Sequence, residues 1–283
     1  MTTHTSSDRV PLAPLALVAL LTPFLLSASR AHGQDAELSY GTFDAPVQDP
    51  VIGSGGGRSN WEFVLGIGAR VAPEFEGAED FETTALPFFS ISYGDRVTFD
   101  LGGLNVDLLT TGPLSLSTQI GYDPGREEDD SDYLAGLGDV DGGATLGLGI
   151  GYALGPLDLY MNFDRTLGDS DGMVGRLGAQ YTRKVGNVLL AANLSANWAD
   201  EDHMQNYFGV TAAQSAASGL AQYEAESGFK RVDLGLSATY VIRENWILRG
   251  EIEVGSLIGD AADSPIVREE MQSSASVLLG YRF

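Results

Sequence analysis

His203 closes the run Trp198-Ala199-Asp200-Glu201-Asp202-His203 and is the only histidine in the patterned part of the chain, which begins at Trp61. An imidazole held by a carboxylate can take a proton from a neighbouring hydroxyl, the chemistry of nucleophilic and acid–base hydrolysis. In that reading His203 pairs with Asp200 or Asp202 and activates a serine such as Ser195. One histidine beside three carboxylates also describes an acidic loop just beyond a strand end, and the pattern fits the loop better. No catalytic residue is assigned.

Acidic runs are the second place to look for chemistry: Glu74 to Glu82, Glu127-Glu128-Asp129-Asp130-Ser131-Asp132, and residues 200–202. Clustered oxygens suit hard divalent cations such as Ca²⁺ and Mg²⁺, but none of these runs has the spacing of a dedicated calcium loop. They read as solvated loops. Asp139 and Asp141 flank a turn and are expected to cap loop backbone. No metal or cofactor site is assigned. The chain has no cysteine, which excludes thiol catalysis, disulfides, thiolate metal sites and a lipid-modified cysteine. A net charge of −23 argues against nucleic acid as a partner, because phosphate binding needs clustered Lys and Arg.

The elements around these residues are strands. From Trp61 to Phe283 apolar and polar residues alternate with period two, in stretches broken by turn residues, and helical periodicity is nowhere sustained. Val232, Leu234, Leu236, Ala238, Tyr240 and Ile242 share one face, against Asp233, Gly235, Ser237, Thr239 and Arg243 on the other. Trp61, Phe63, Leu65, Ile67, Ala69 and Val71 likewise oppose Glu62, Gly66, Gly68 and Arg70. Strands are expected near 61–72, 84–93, 96–101, 104–110, 113–122, 143–154, 156–166, 172–185, 187–199, 231–243, 245–257 and 272–283. That makes twelve. Splitting 96–110 at Gly102-Gly103 serves parity, since both chain ends on one side require an even number; ten or fourteen satisfy it too.

A soluble sandwich shows the same alternation with its apolar face inward. Several features favour a membrane-spanning barrel instead. The strands are long enough to cross a bilayer, which takes about 9–11 tilted residues, whereas soluble strands run to about 5–6. Aromatics such as Trp61, Tyr93, Tyr122, Tyr152, Tyr181, Trp198, Trp246 and Tyr281 gather at strand ends, as interfacial girdles do. Connections are of two kinds: tight at Gly94-Asp95, Thr111-Gly112-Pro113, Gly155-Pro156, Gly186-Asn187 and Arg243-Glu244-Asn245, and long at 73–82, 123–141, 199–230 and 258–271. Short periplasmic turns with long external loops are the outer-membrane arrangement. Charged residues are 19%, below the soluble norm of about 25%. The fold class is therefore all-β, a transmembrane antiparallel up-and-down barrel over residues 61–283. Its lumen carries both signs of charge at Glu62, Arg70, Arg96, Asp100, Asp107, Asp158, Arg176, Lys184, Arg249, Glu251, Glu253 and Arg282, which suits a filled interior more than an open one.

Residues 1–33 read as a cleaved secretory signal: Arg9, the apolar run Val10 to Leu26, then small residues to Ala31 and Gly33. An N-terminal membrane anchor is the rival reading, disfavoured by two prolines and a length of about 17. Residues 34–60, with GSGGGRS at 53–59, read as a flexible periplasmic lead-in.

The segment Tyr207-Phe208-Gly209-Val210 through Gln214-Ser215-Ala216-Ala217-Ser218-Gly219-Leu220 resembles a stretch of the MipA/OmpV family, the MltA-interacting proteins. Gly259-Asp260-Ala261-Ala262-Asp263-Ser264-Pro265-Ile266-Val267, Gly136-Leu137-Gly138-Asp139 and the terminal Gly280-Tyr281-Arg282-Phe283 resemble it too. The likeness spans about 61–283. It implies an outer-membrane barrel, with Phe283 as part of the insertion signal, set among outer-membrane lipid and lipopolysaccharide. It also implies a non-enzymatic scaffold role toward a murein lytic transglycosylase and a murein synthase. A small-solute porin-like channel and an adhesive or stress-response barrel are the alternatives. Within the resemblance, Thr211 to Leu220 either folds over the barrel mouth or offers a docking surface.

Overall fold

The computed structural model describes residues 60–243 and 245–283. The expected signal and all but the last residue of the lead-in lie outside the described residues.

Alternating side chains over uninterrupted runs produce twelve strands. They are β1 (Trp61–Pro73), β2 (Phe81–Tyr93), β3 (Val97–Asp100), β4 (Gly103–Thr111), β5 (Leu114–Asp123) and β6 (Gly143–Leu154). The second half holds β7 (Leu157–Leu167), β8 (Gly172–Val185), β9 (Val188–Ala199), β10 (Gly228–Ile242), β11 (Trp246–Leu257) and β12 (Met271–Arg282). Each pairs antiparallel with its sequence neighbours, and β12 closes the barrel on β1. The closing ladder runs from Val64 opposite Arg282 to Val71 opposite Ala275, and the Phe283 N–H donates to the Phe63 carbonyl at 2.9 Å. Closure matters because hydrocarbon offers backbone groups no partner. No helix among the described residues is long and apolar enough to cross a membrane.

The barrel is inside out relative to a soluble protein. Ile67, Leu148, Leu194, Leu234 and Ile252 point outward and are exposed. Inward positions are small or polar: Gly147 and Gly149 on β6 face Asp164, Asn162 and Ser117 on their neighbours. At the turn end, aromatic pairs form a girdle. Trp61 lies 4.7 Å from Tyr93, Trp246 5.1 Å from Tyr281, and Tyr281 5.0 Å from Phe283. The tight turns there use left-handed backbone, for example at Gly186 (φ 62°), where glycine has no steric penalty.

Two strands depart from the expected limits by three residues, β2 starting at Phe81 and β10 at Gly228. The split at Gly102-Gly103 is real. Its product is a short hairpin: β3 has 4 residues, paired with β2 only from Ser90 opposite Asp100 to Tyr93 opposite Val97. The turn at Leu101-Gly102 therefore stops part-way up the wall.

The long connections are ordered, and two short helices that no apolar period announces lie within them. Helix α1 (Glu201–Phe208) begins at Asp200, whose side chain accepts from the His203 N–H. Helix α2 (Ala212–Ser218) starts with a capping box between Thr211 and Gln214 and ends at Gly219 in the left-handed region. Together with the other loops they make a lid with two dry clusters. One joins Phe75, Ala78, Leu134, Leu137, Val210 and Ile266. The other joins Ala199, Met204, Phe208, Ala225, Leu257 and Ala261.

Candidate functional site

Below the lid lies a lumen cavity of about 380 Å³ whose walls are mostly polar and charged. Strands all round the barrel line it, and the inward faces of β8 to β11 carry its main charge cluster. Arg176 donates to Asn197 (2.8 Å), and Asn197 donates to Asp233 (2.6 Å). Arg231 bridges Asp233 to Glu253, the second contact at 2.8 Å. Arg249 pairs with Glu251 at 3.1 Å. Each of these charges has an opposite charge or a hydrogen bond beside it, as burial demands.

A β-bulge explains why two adjacent cations reach the lumen. The β9–β10 register jumps from Phe229 opposite Trp198 to Arg231 opposite Asn197, leaving Lys230 as the extra residue. A bulge re-aims side chains: Phe229 stays outward and exposed, while Lys230 is buried. Its freed carbonyl accepts from the Ile258 N–H at 2.9 Å. Lys230 Nζ then donates to Glu76 at 2.7 Å and to His203 Nε2 at 3.2 Å. Burial alone pushes the Glu76 carboxyl upward, but Lys230 and Arg231 outweigh it and hold Glu76 at about 2. Burial and then the Lys230 charge push His203 down to about 3, so the ring is neutral and accepts from Lys230.

His203 is thus no solvated loop residue, contrary to the reading of its sequence neighbourhood. It is buried on α1, stacked on Tyr207 with ring centres 4.5 Å apart. The ring meets Lys230 and Tyr207, while Asp200 accepts from the His203 backbone N–H and Ser195 lines the cavity from β9. The acidic runs also do more than face water. Glu127 and Asp130 cap each other's backbone, Glu128 accepts from Gly138, and Asp139 accepts from Glu128. Glu79 accepts from the Tyr133 hydroxyl at 2.9 Å. Among the described residues no group of three or more His, Asp or Glu could hold a metal ion.

Of the lumen charges expected from sequence, Arg70, Arg176, Arg249, Glu251 and Glu253 line the cavity. The others do not: Glu62, Asp158, Lys184 and Arg282 lie at the turn ends of their strands, Arg96 lies in the β2–β3 turn, and Asp100 and Asp107 belong to the short β3–β4 hairpin. Sequence reasoning missed Glu76, Lys230 and Arg231. The last two sit where the alternation breaks, and that break was the one sequence sign of the bulge. Thr211 to Leu220 folds over the mouth: Gln214 Nε2 donates to the Leu137 carbonyl at 2.6 Å, and Val210 is buried in the first lid cluster.

The family model for MltA-interacting protein MipA matches residues 65–283. The MltA-interacting protein of Escherichia coli (strain K12) is 26% identical over 240 residues, which cover 82% of this chain and 96% of the relative. "Putative outer membrane protein YiaT" of the same organism is 27% identical over 117 residues, 41% of this chain and 47% of its own. Among solved structures, an outer membrane channel from Pseudomonas putida F1 matches 80% of this chain and 96% of its own at 12% identity, with a TM-score of 0.39. The closed barrel with its apolar outer face is a protein of the outer membrane, and the chain belongs to the MltA-interacting protein (MipA) family.

Proposed function

We propose that this barrel is a non-enzymatic interaction protein that holds a murein lytic transglycosylase at the periplasmic side of the outer membrane, with a murein synthase as a second partner. The observation that carries the reading is the match to MltA-interacting protein along 96% of that relative's length. Geometry supports it in two ways. The lid plugs the mouth with dry apolar clusters, which disfavours a wide pore. His203 is engaged by Lys230 in an ion-pair cluster, a positioning role rather than a proton-transfer one. The tight turns leave a partner the barrel rim, and the expected lead-in at 34–60 supplies a second attachment.

Crosslinking in intact envelopes followed by pull-down tests this directly. Recovery of a lytic transglycosylase is expected, and its absence under conditions that recover other envelope complexes overturns the proposal. The cavity of about 380 Å³ favours a second reading, a small-solute channel. Planar-bilayer recordings separate the two: closed traces go with the scaffold, and large steady open steps with the channel. An enzyme reading would return if His203→Ala abolished a hydrolytic activity of the purified barrel.

A further inference from the structure

The short β3–β4 hairpin leaves a notch in the wall. β2 pairs with β1 along its whole length, from Pro73 opposite Phe81 to Trp61 opposite Tyr93. On its other edge it pairs with β3 only at residues 90–93. Among the described residues, 81–89 therefore have no strand beside them on that edge. Across the gap, β5 pairs with β4 only as high as Ile120 opposite Leu104 and Gly121 packs against Gly102 and Gly103, so no described strand pairs with Tyr122 and Asp123 there. The notch floor is pinned: Gln119 donates to the Gly102 carbonyl at 3.1 Å, and Asp100 accepts from the Gly102 N–H at 2.9 Å.

The ladder parity shows what faces the gap. Gly94 N–H donates to the Asn60 carbonyl and Glu74 N–H to the Asp80 carbonyl, so the even positions of β2 bond toward β1. The odd ones, Phe81, Thr83, Ala85, Pro87 and Phe89, turn their edge groups into the notch. Pro87 brings no N–H, which removes the central donor that an added strand would need. Backbone edges at membrane depth persist only where they line a polar or water-filled space. The cavity reaches this gap. Its lining includes inward-facing Thr84 and Leu86 from one margin and Gln119 from the other, together with Tyr122, which is exposed on the outer face of β5. The cavity therefore has lining residues on both margins of the notch.

We propose that the notch is a lateral entrance for a zwitterionic membrane amphiphile, whose headgroup enters the lumen from the leaflet at the loop end while its chains stay in hydrocarbon. The outer surface beside the gap is apolar, with Phe81, Phe99 and Ile120 exposed to receive chains. Inside, Arg70 and Glu82 stand among the charges of both signs that line the cavity, which suits a headgroup carrying both. The lid covers the axial route at the loop end, and the notch offers a sideways one beside it. A strand from a second copy is the rival occupant, and Pro87 opposes it.

The test uses the folded barrel in vesicles of phosphatidylethanolamine that contain a trace of the same lipid with a diazirine in its headgroup. After illumination, adducts are expected on Thr84, Leu86 and Gln119. The chain has no native cysteine, so Thr84→Cys can be folded first and then plugged with a bulky thiol reagent. Plugging should lower adducts at Leu86 and Gln119 about tenfold, the loss expected for about 1.4 kcal/mol of affinity, and leave adducts at the outward loop-end residues Phe229 and Met271 unchanged. Adducts confined to the outward residues overturn the proposal, as does insensitivity of the lumen adducts to the plug. Crosslinks from residue 87 to a second copy would assign the notch to strand addition instead.

Discussion

The lid and the wall solve burial in opposite senses. In the lid, Leu134 and Phe208 are 0% exposed within dry clusters, as in a soluble domain. In the wall, Ile67 is 65% and Leu148 57% exposed, and the charges are inside. The contrast shows that hydrophobicity reports which solvent a residue meets and not whether it lies at the centre of the molecule. One chain carries both patterns because its strands cross hydrocarbon and its loops stand in water.

The comparison is broken most severely from the lid side. Phe208→Ala removes the largest fully buried side chain and should cost about 3–5 kcal/mol, as aromatic-to-alanine truncations in packed cores do. Hydrogen exchange should show the loss as fast exchange confined to the lid amides, with the wall ladders still protected. Next comes the seam between the two regions. Lys230→Met leaves Glu76 beside Arg231 alone, 3.9 Å away, and should cost about 3 kcal/mol or more in urea titration in micelles. Adding Glu76→Gln should restore most of that, because the stranded charge is then gone.

Leu148→Arg attacks the wall from outside and should cost about 2–4 kcal/mol, since β6 places Leu148 mid-strand in the lipid band. The same experiment in the lid sharpens the contrast: an exposed lid residue such as Glu201 should tolerate replacement by arginine. Acid acts on the seam more gently. Glu76 sits at about 2 against an ordinary 4.5, and His203 at about 3 against 6.5. Both are depressed by folding, so the unfolded lid binds more protons and acid favours it. Lid stability should be full above about pH 6.5 and decline as pH falls toward 2, with near-UV circular dichroism as the readout. The smallest effect is expected at Arg165–Asp171, an exposed pair at 2.6 Å: Arg165→Ala should leave the urea midpoint unchanged within error.

The wall was legible in the sequence because period two survives lipid exposure unchanged. Even the awkward split at Gly102-Gly103, argued in part from parity, marks a real turn. The lid was not legible, and for physical reasons. Helices of 8 and 7 residues are too short to show a period, and α2 is rich in alanine and serine with no buried residue to mark a face. The Thr211-Ala212-Ala213-Gln214 capping box was the readable clue. His203 was misread because its partners are remote: Lys230 is 27 positions away, and the Glu76 that shares Lys230 lies 154 from it. Lys230 itself was hidden by the bulge, which breaks the alternation on which the face assignment depends.

The first lid cluster draws Phe75, Leu134, Val210 and Ile266 from four separate connections, so it has a consequence for biogenesis. Such long-range contacts form late, once chain-closure entropy has been met by other pairings. The strands that bring those connections together include β12, which docks on β1 at the seam. A chain stalled before docking therefore shows its periplasmic neighbours a mouth with Leu134 and Val210 uncovered, a ready substrate for proteases. The cap is a seal applied at the end of assembly, and its presence certifies that the cylinder beneath it has closed.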